Sequence, residues 1–403
     1  MSLAHGRHFL SIPGPSVMPD RVLNAMHQAA PNIYEGDLIT LTGEVYDNLA
    51  RIARTSTAVP VIYMANGHGA WEASLTNVFS RGDTALVLFT GRFARGWAEQ
   101  AERLGVTVKS IDFGPRSPVD PALVEDALRA DTGHEIRAVM MVQTDTATSV
   151  LNDVKAVREA IDAAGHPALL MVDCIASFAC DSFEMDAWGV DVMVTGSQKG
   201  LMTPPGLGLN FVGPKALEAR AKADLATPYW DWQPRCNPQV YYQKFCGTAP
   251  THHLFGLHEA TTMILEEGIE NVWARHVTLS TAVHAAVEAW GRGGPLECNI
   301  ADPAHRSRAV TSIRTGAIDA NALRRYCEDQ LGLTLGIGLP LGSPVMGGRE
   351  EGVFRIGHMG HLSAPMILGT LGSIETAMTA LDMPHGPGAV AAAAAVIAGH
   401  PRS

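Results

Sequence analysis

Between Leu169 and Leu209 the chain reads LLMVDCIASFACDSFEMDAWGVDVMVTGSQKGLMTPPGLGL. Two short runs in it, LLMVD and VDVMVTG, are nearly continuous in apolar residues, the mark of strands buried on both faces of a parallel sheet. The first ends on Asp173. The second leads into Ser197-Gln198-Lys199-Gly200 and then a Pro-Pro-Gly turn that sets the chain direction. Two such strands side by side present a carboxylate and an amine at the same carboxyl edge of the sheet, where open α/β sheets bind ligands.

That pair suits pyridoxal phosphate chemistry: a lysine forms a Schiff base with the aldehyde, and a carboxylate pairs with the pyridinium nitrogen so that the ring accepts electrons. Taken alone, the two residues read equally as a surface lysine and a strand-end acid. Their setting, one strand ending in Asp and the next in SQKG followed by PPG, favours the chemical reading. The segment resembles the class V aminotransferases of pyridoxal-phosphate fold type I, in particular the serine/alanine–glyoxylate branch. The resemblance runs from IPGPSVMPD (12–20) to FRIGHMGHLS (354–363), with VTGSQKGLMTPPGLGL as its most specific block. It implies that Lys199 carries pyridoxal 5'-phosphate and that Asp173 is the ring acid. It also implies an α/β fold: an amino-terminal arm (1–20), a large domain (21–271) with a mostly parallel seven-stranded sheet, and a smaller α+β carboxyl-terminal domain (272–403).

Composition agrees with a packed enzyme. Of 403 residues, 46% are hydrophobic and 18% charged, enough for two cored domains. A net charge of −11 and the lack of a basic stripe exclude a nucleic-acid partner, which needs a cationic surface. No run approaches the roughly 20 apolar residues that span a bilayer, and AVAAAAAVIAG (389–399) reads as a terminal helix. With no basic-then-apolar leader at the amino terminus, a cytoplasmic protein without membrane contact is expected. Six cysteines without CxxC spacing indicate neither a zinc ribbon nor a disulfide framework. They read as reduced core thiols, and no metal site is expected.

The remaining candidates follow in chain order. The prolines of the LSIPGPSVMPD segment break both helix and strand, so it reads as an arm. The resemblance implies that this arm crosses to a partner subunit and places Gly14 near substrate. The residues from Arg21 to about Arg54 read as helix interrupted by a loop, PNIYEGD (31–37), whose Tyr34 and Glu35 stand where related glyoxylate enzymes carry a basic residue; Tyr34 is a substrate-side candidate. VIYMANGHGAWEASLTNVF (61–79) is a strand, a glycine loop and a helix whose amino-terminal dipole and free amides suit an anion. By resemblance Asn66, Gly67 and His68 touch the cofactor phosphate. Gly67-x-Gly69 lacks the third glycine of a dinucleotide fingerprint.

The strand TALVLFTG leads to Phe93, whose ring would lie against the pyridine; as a bare sequence feature it reads equally as core. AVMMVQTDTATSVLND (138–153) offers Thr146 for the phenolic oxygen, and has Ser149 where the family pattern carries glycine, a change expected to alter the loop because only glycine takes positive φ freely. Gln198 is placed to donate to the phosphate and stands where the desulfurases of the same class carry histidine. The aromatic, proline-rich stretch 227–257 reads as a functional loop region. In it Thr248 is implied to reach the neighbouring subunit's cofactor, which makes a homodimer the expected minimum unit. Arg355, in the FRIGHMG block, is implied to grip the substrate carboxylate through its planar fork.

The reading is therefore a transamination between a small L-amino acid (serine, alanine or similar) and glyoxylate or pyruvate. Within the family, a pyridoxamine–pyruvate aminotransferase is similar in its Tyr-acid loop and RIGHMG block. As the resemblance has it, that enzyme carries an extra arginine in the glycine-rich loop, where this chain shows Gly338-Leu339. A dinucleotide-binding oxidoreductase or a catalytically silent relative are the more distant alternatives.

Overall fold

The computed structural model describes residues 2–340 and 349–401; residues 341–348, inside the glycine-rich stretch before FRIGHMG, lie outside the described residues. In chain order the strands are β1 (Phe9–Ser11), β2 (Val59–Met64), β3 (Thr84–Phe89), β4 (Thr107–Asp112), β5 (Ile136–Val142), β6 (Leu169–Asp173), β7 (Val192–Gly196), β8 (Leu207–Val212), β9 (Glu297–Cys298), β10 (Val310–Arg314), β11 (Leu333–Ile337) and β12 (Val353–Gly357).

Seven of them form one sheet in the order β2-β8-β7-β6-β5-β3-β4. Only β8 runs against its neighbours; the other pairs are parallel. The continuous apolar runs are explained by burial on both faces. Along β6, Leu170 and Val172 point into one core while Leu169 and Met171 point into the core on the opposite face, as a period of two requires. The crossover helices start where their sequence offers a cap: Asp120 and Asp153 accept backbone N–H bonds from Ala122 and Ala156.

The second sheet has the order β1-β11-β12-β10-β9 and its own apolar core. The segment RSRAVTSIRT contains β10, and ANALRRYCEDQLG forms the helix Ala320–Leu331, closed by Gly332 at φ 72°. AVAAAAAVIAG forms the helix Ala389–Ala398, and no described helix is long and apolar enough to cross a membrane.

Four expectations need correction. The arm contains a strand, because its residues ahead of the prolines are free to pair: β1 lies parallel to β11. Nor does the arm leave its own chain. Ser16 donates its backbone N–H to Gln198 O (2.9 Å) and its hydroxyl to Lys199 O (2.7 Å), so the turn is tied to the lysine's own loop. The stretch 227–257 is less irregular than its prolines suggest: Trp232–Cys236 is a short helix, and a long helix opens at Thr251, just after Pro250. Finally, Cys246 is exposed, whereas Cys174, Cys180, Cys298 and Cys327 are buried free thiols and Cys236 is partly buried.

Candidate active site

The carboxyl ends of the parallel strands bring together residues far apart in sequence. Asp173 closes β6, and Lys199 follows β7 after two residues. Thr146 follows β5, Phe93 follows β3 across Gly91, and Asn66 follows β2. A cavity of about 180 Å³ lies among them, lined by Asn66, Gly67, His68, Phe93, Thr146, Asp173, Gln198 and Lys199 together with Trp71, Thr144, Ile175 and Ala176. The structure thus gathers eight of the sequence candidates in one place.

Asp173 is 2% exposed. Its Oδ1 accepts the backbone N–H of Ile175 at 2.7 Å and its Oδ2 accepts the indole N–H of Trp71 at 2.9 Å. Burial pushes this carboxyl up to about 7, against the pull of those two donors. Burial and the Arg355 charge bring the Lys199 amine down to about 8. Lys199 Nζ donates to the carbonyl of Pro13, and a side chain on Gly14 would stand 2.5 Å from that Nζ. Gly14 therefore lies against the lysine.

Arg355 is 7% exposed, and burial lowers it to about 10. Its Nε donates to Ile337 O (2.7 Å) and its Nη1 to Thr146 O (2.8 Å). Those two bonds orient the plane. Among the described residues Nη2 has no acceptor, so Nη2 and the second Nη1 hydrogen form an end-on pair suited to a carboxylate. Nearby Asp145, fully buried, accepts from the backbone of Phe93 (2.7 Å), Ala147 (2.9 Å) and Thr148 (3.4 Å), which fixes the loop carrying Thr146 and the start of the helix carrying Phe93.

The glycine loop is less open than expected. The N–H groups of His68 and Gly69 already donate to Asn66 Oδ1 at 3.1 and 3.3 Å, because Asn66 caps the helix Gly67–Val78. Ser149 keeps a left-handed backbone, φ 60°, without being glycine, so no extended alternative is taken. Its N–H bonds to Asp145 O (2.7 Å) and its hydroxyl accepts Ser312 N–H (3.1 Å). Tyr34 is 85% exposed, and Thr248 is exposed as well; within one chain neither reaches the cavity. His252 and His253 contact the carbonyls of Gln28 and Pro205.

A family model described as aminotransferase class-V matches residues 9–361. The chain belongs to the class V aminotransferases. Serine–glyoxylate aminotransferase of Methylorubrum extorquens is 39% identical over 399 residues, covering 96% of this chain and 95% of the relative. L-aspartate–glyoxylate aminotransferase of Paracoccus denitrificans is 35% identical, covering 95% and 94%. The crystal structure of pyridoxamine–pyruvate aminotransferase from Mesorhizobium loti superposes with a TM-score of 0.86 at 27% identity, over 98% of each chain.

This aminotransferase takes pyridoxal 5'-phosphate, and the residues present fit it. A buried carboxylate with both oxygens held and an amine whose described partner is one backbone carbonyl face one cavity large enough for an aromatic ring. Sequence reasoning missed Trp71, Thr144, Ile175 and Ala176. Trp71 was within reach of it: three positions after His68, it shares a helix face with that residue.

Proposed function

We propose that this aminotransferase moves the amino group of a small L-amino acid, such as serine or alanine, to glyoxylate or pyruvate, and that it works as a homodimer. The observation that carries the reading is the convergence of the Lys199 amine and the Asp173 carboxylate on one cavity beside the buried Arg355 fork. The named activities of the relatives at 39% and 35% identity support the substrate class.

When bound, pyridoxal phosphate supplies an aldehyde that condenses with amines and a ring that takes up electrons released at the substrate Cα. The chain's own residues do the rest. Lys199 takes and returns the Cα proton at its Nζ; an amine brought down to about 8 is neutral often enough near that pH to act as base. Asp173 would keep a proton on the ring nitrogen. Phe93 would pack on the ring face and Thr146 would donate to the phenolic oxygen. Asn66, Gly67, His68 and Gln198 would hold the phosphate end, where the two amides capped by Asn66 would also serve the anion. Arg355 binds the substrate carboxylate through its end-on hydrogens, with Gly14 beside it. The exposure of Tyr34 and Thr248 supports a second copy that brings them to its neighbour's cavity.

The pyridoxamine–pyruvate reading is weaker. A side chain on Gly338 would strike the carbonyls of Glu350 and Val353, so no arginine fits at that position.

The test supplies L-serine, L-alanine and L-aspartate separately with glyoxylate or pyruvate and follows both products, with free pyridoxamine plus pyruvate as a further arm. Glycine or alanine formed in step with the donor's 2-oxo acid is expected. Turnover of aspartate alone would overturn the small-donor reading, and turnover of free pyridoxamine alone would replace it. Sedimentation as a monomer at working concentration would overturn the dimer.

A further inference from the structure

We infer that Trp71 is a positioning residue: its indole N–H fixes the Asp173 carboxylate, and through that carboxylate it sets how tightly the cofactor is held. The inference rests on Asp173 as the partner of the ring nitrogen.

A carboxylate at a strand end has one free torsion that matters here, the rotation of its plane. Ile175 N–H pins Oδ1 at 2.7 Å, which fixes one oxygen and leaves the other to swing. Trp71 Nε1 pins Oδ2 at 2.9 Å. With both oxygens held, each retains a lone pair in a set direction, and the acid meets a ring nitrogen without reorganising. The same donor favours the ionised form in a place where burial opposes it, and an ionised acid is the form that pairs with a pyridinium.

Trp71 can impose this geometry because it is itself immobile. It is 1% exposed. Its ring stacks on Trp97 with centroids 6.1 Å apart and planes 17° from parallel, meets Phe93 edge-on at 6.3 Å and lies under His68 at 4.6 Å. The helix Gly67–Val78 places it one turn in from the glycine loop, so the phosphate end, the ring face and the ring acid of the site are all referred to one indole.

The structure also supplies the control. Trp97 is equally buried, yet among the described residues its Nε1 has no hydrogen-bond partner. Removing an indole there costs packing alone, whereas removing one at position 71 costs packing and the bond. Trp71→Phe and Trp97→Phe are therefore compared in three readouts: thermal unfolding, the dissociation constant for pyridoxal phosphate on titration of the apoenzyme, and the pH dependence of kcat/KM. Both should lose unfolding temperature, Trp71→Phe the more, because it also removes the bond to a buried carboxylate. Trp71→Phe should weaken the cofactor roughly ten-fold or more, the scale of one charge-assisted bond, and move upward the Asp173 step of the kcat/KM profile, which lies below the Lys199 step near 8. Trp97→Phe should leave both within about two-fold, inside the range of a change that removes no bond.

In the Asp173→Asn background, Trp71→Phe should weaken the cofactor much less than it does in the wild type, since the carboxylate it serves is gone. Equal cofactor affinities and superposable pH profiles for the two single variants would overturn the inference. Unchanged affinity in Asp173→Asn alone would instead overturn the role of Asp173. If Trp71→Phe does not fold, the indole N–H resonances of the nitrogen-labelled wild-type and Asp173→Asn holoenzymes decide the matter. The Trp71 signal should move and the Trp97 signal should stay; a stationary Trp71 signal refutes the bond.

Discussion

Replacing Gly14 by alanine tests whether the arm is part of the lysine's environment. Gly14 sits at φ 99°, and an added Cβ would lie 2.5 Å from Lys199 Nζ and 2.6 Å from its Cδ and Cε. Two costs follow. A side chain at that φ strains the backbone by roughly 1–3 kcal/mol. The contact distances are about 1 Å inside an ordinary carbon contact of roughly 3.5–4.0 Å, so either the turn or the lysine side chain has to move. The turn is held by the bonds of Ser16 to Gln198 and Lys199 and by β1, so the lysine yields first. A displacement of about 1 Å of the base costs on the order of a hundred-fold in turnover.

The assay pairs kcat with denaturant unfolding and uses Gly43→Ala as reference. Gly43 is exposed inside the helix Asp37–Ile52, with nothing within 4 Å of a built Cβ, so alanine there should stabilise by about 1 kcal/mol and leave turnover unchanged. Wild-type turnover in Gly14→Ala, with stability at the Gly43→Ala level, would refute the contact between arm and lysine.

Three further outcomes are expected. Turnover should rise with pH and level off above about 8, because the amine brought down to about 8 must be neutral to accept a proton; a profile flat between pH 6.5 and 9 removes Lys199 as base. Arg355→Lys keeps the charge but loses the fork and the bonds to Ile337 O and Thr146 O, so it should raise KM for the amino acid at least ten-fold, the scale of a lost charge-assisted bond; an unchanged KM refutes the carboxylate role. His276, buried, donates to Val272 O from Nδ1 and accepts Gly360 N–H at Nε2, and burial holds it down to about 3. The unfolded state therefore takes up this proton below about 6.5 while the folded state does not, and the stability it supports is lost as pH falls toward 3. The stability advantage of wild type over His276→Asn should shrink by about 2 kcal/mol between pH 6.5 and 5, measured by urea unfolding; a constant difference refutes it. Asp173 and Asp181, both raised to about 7, titrate with the opposite sign in that window but cancel in the difference.

The parts of the site that the sequence made legible are those attached to strand ends. Buried parallel strands are written as continuous apolar runs, so the polar residues after each run mark the ligand edge: Asp173 and Lys199 follow from that rule, while Thr146 and Asn66 lie at such edges but were singled out with the family resemblance. What the sequence hid depends on pairing between distant elements. Trp71 reads as core because its helix is apolar on most faces, and only the fold shows that its N–H finds Asp173. Asp145 reads as a loop acid until the fold brings Phe93 N–H onto it. Ser149 takes a left-handed backbone without being glycine, and the bond that its hydroxyl receives there comes from Ser312, in the other sheet, which no local reading offers.

The arm shows most clearly what a one-dimensional reading loses. Its prolines suggested an arm without regular structure, and the resemblance a reach to a partner, yet it packs closely between the two sheets of its own chain. On β12, two positions beyond Arg355, Gly357 leaves room for the carbonyl of Ile12, which a Cβ would strike; on β11, a Cβ at Gly336 would stand 2.6 Å from Pro13 Cδ; and at the turn Gly14 makes room for Lys199. The glycine of FRIGHMG, which the sequence offered as part of a substrate block, is required by the backbone passing over it. The strand that carries Arg355 and the loop that carries Lys199 are thus joined through six residues of arm, from Ser11, whose hydroxyl bonds Gly357 O at 3.3 Å, to Ser16 on the lysine's loop. A shift of the small sheet cannot leave the lysine's surroundings unchanged unless those six residues give way first.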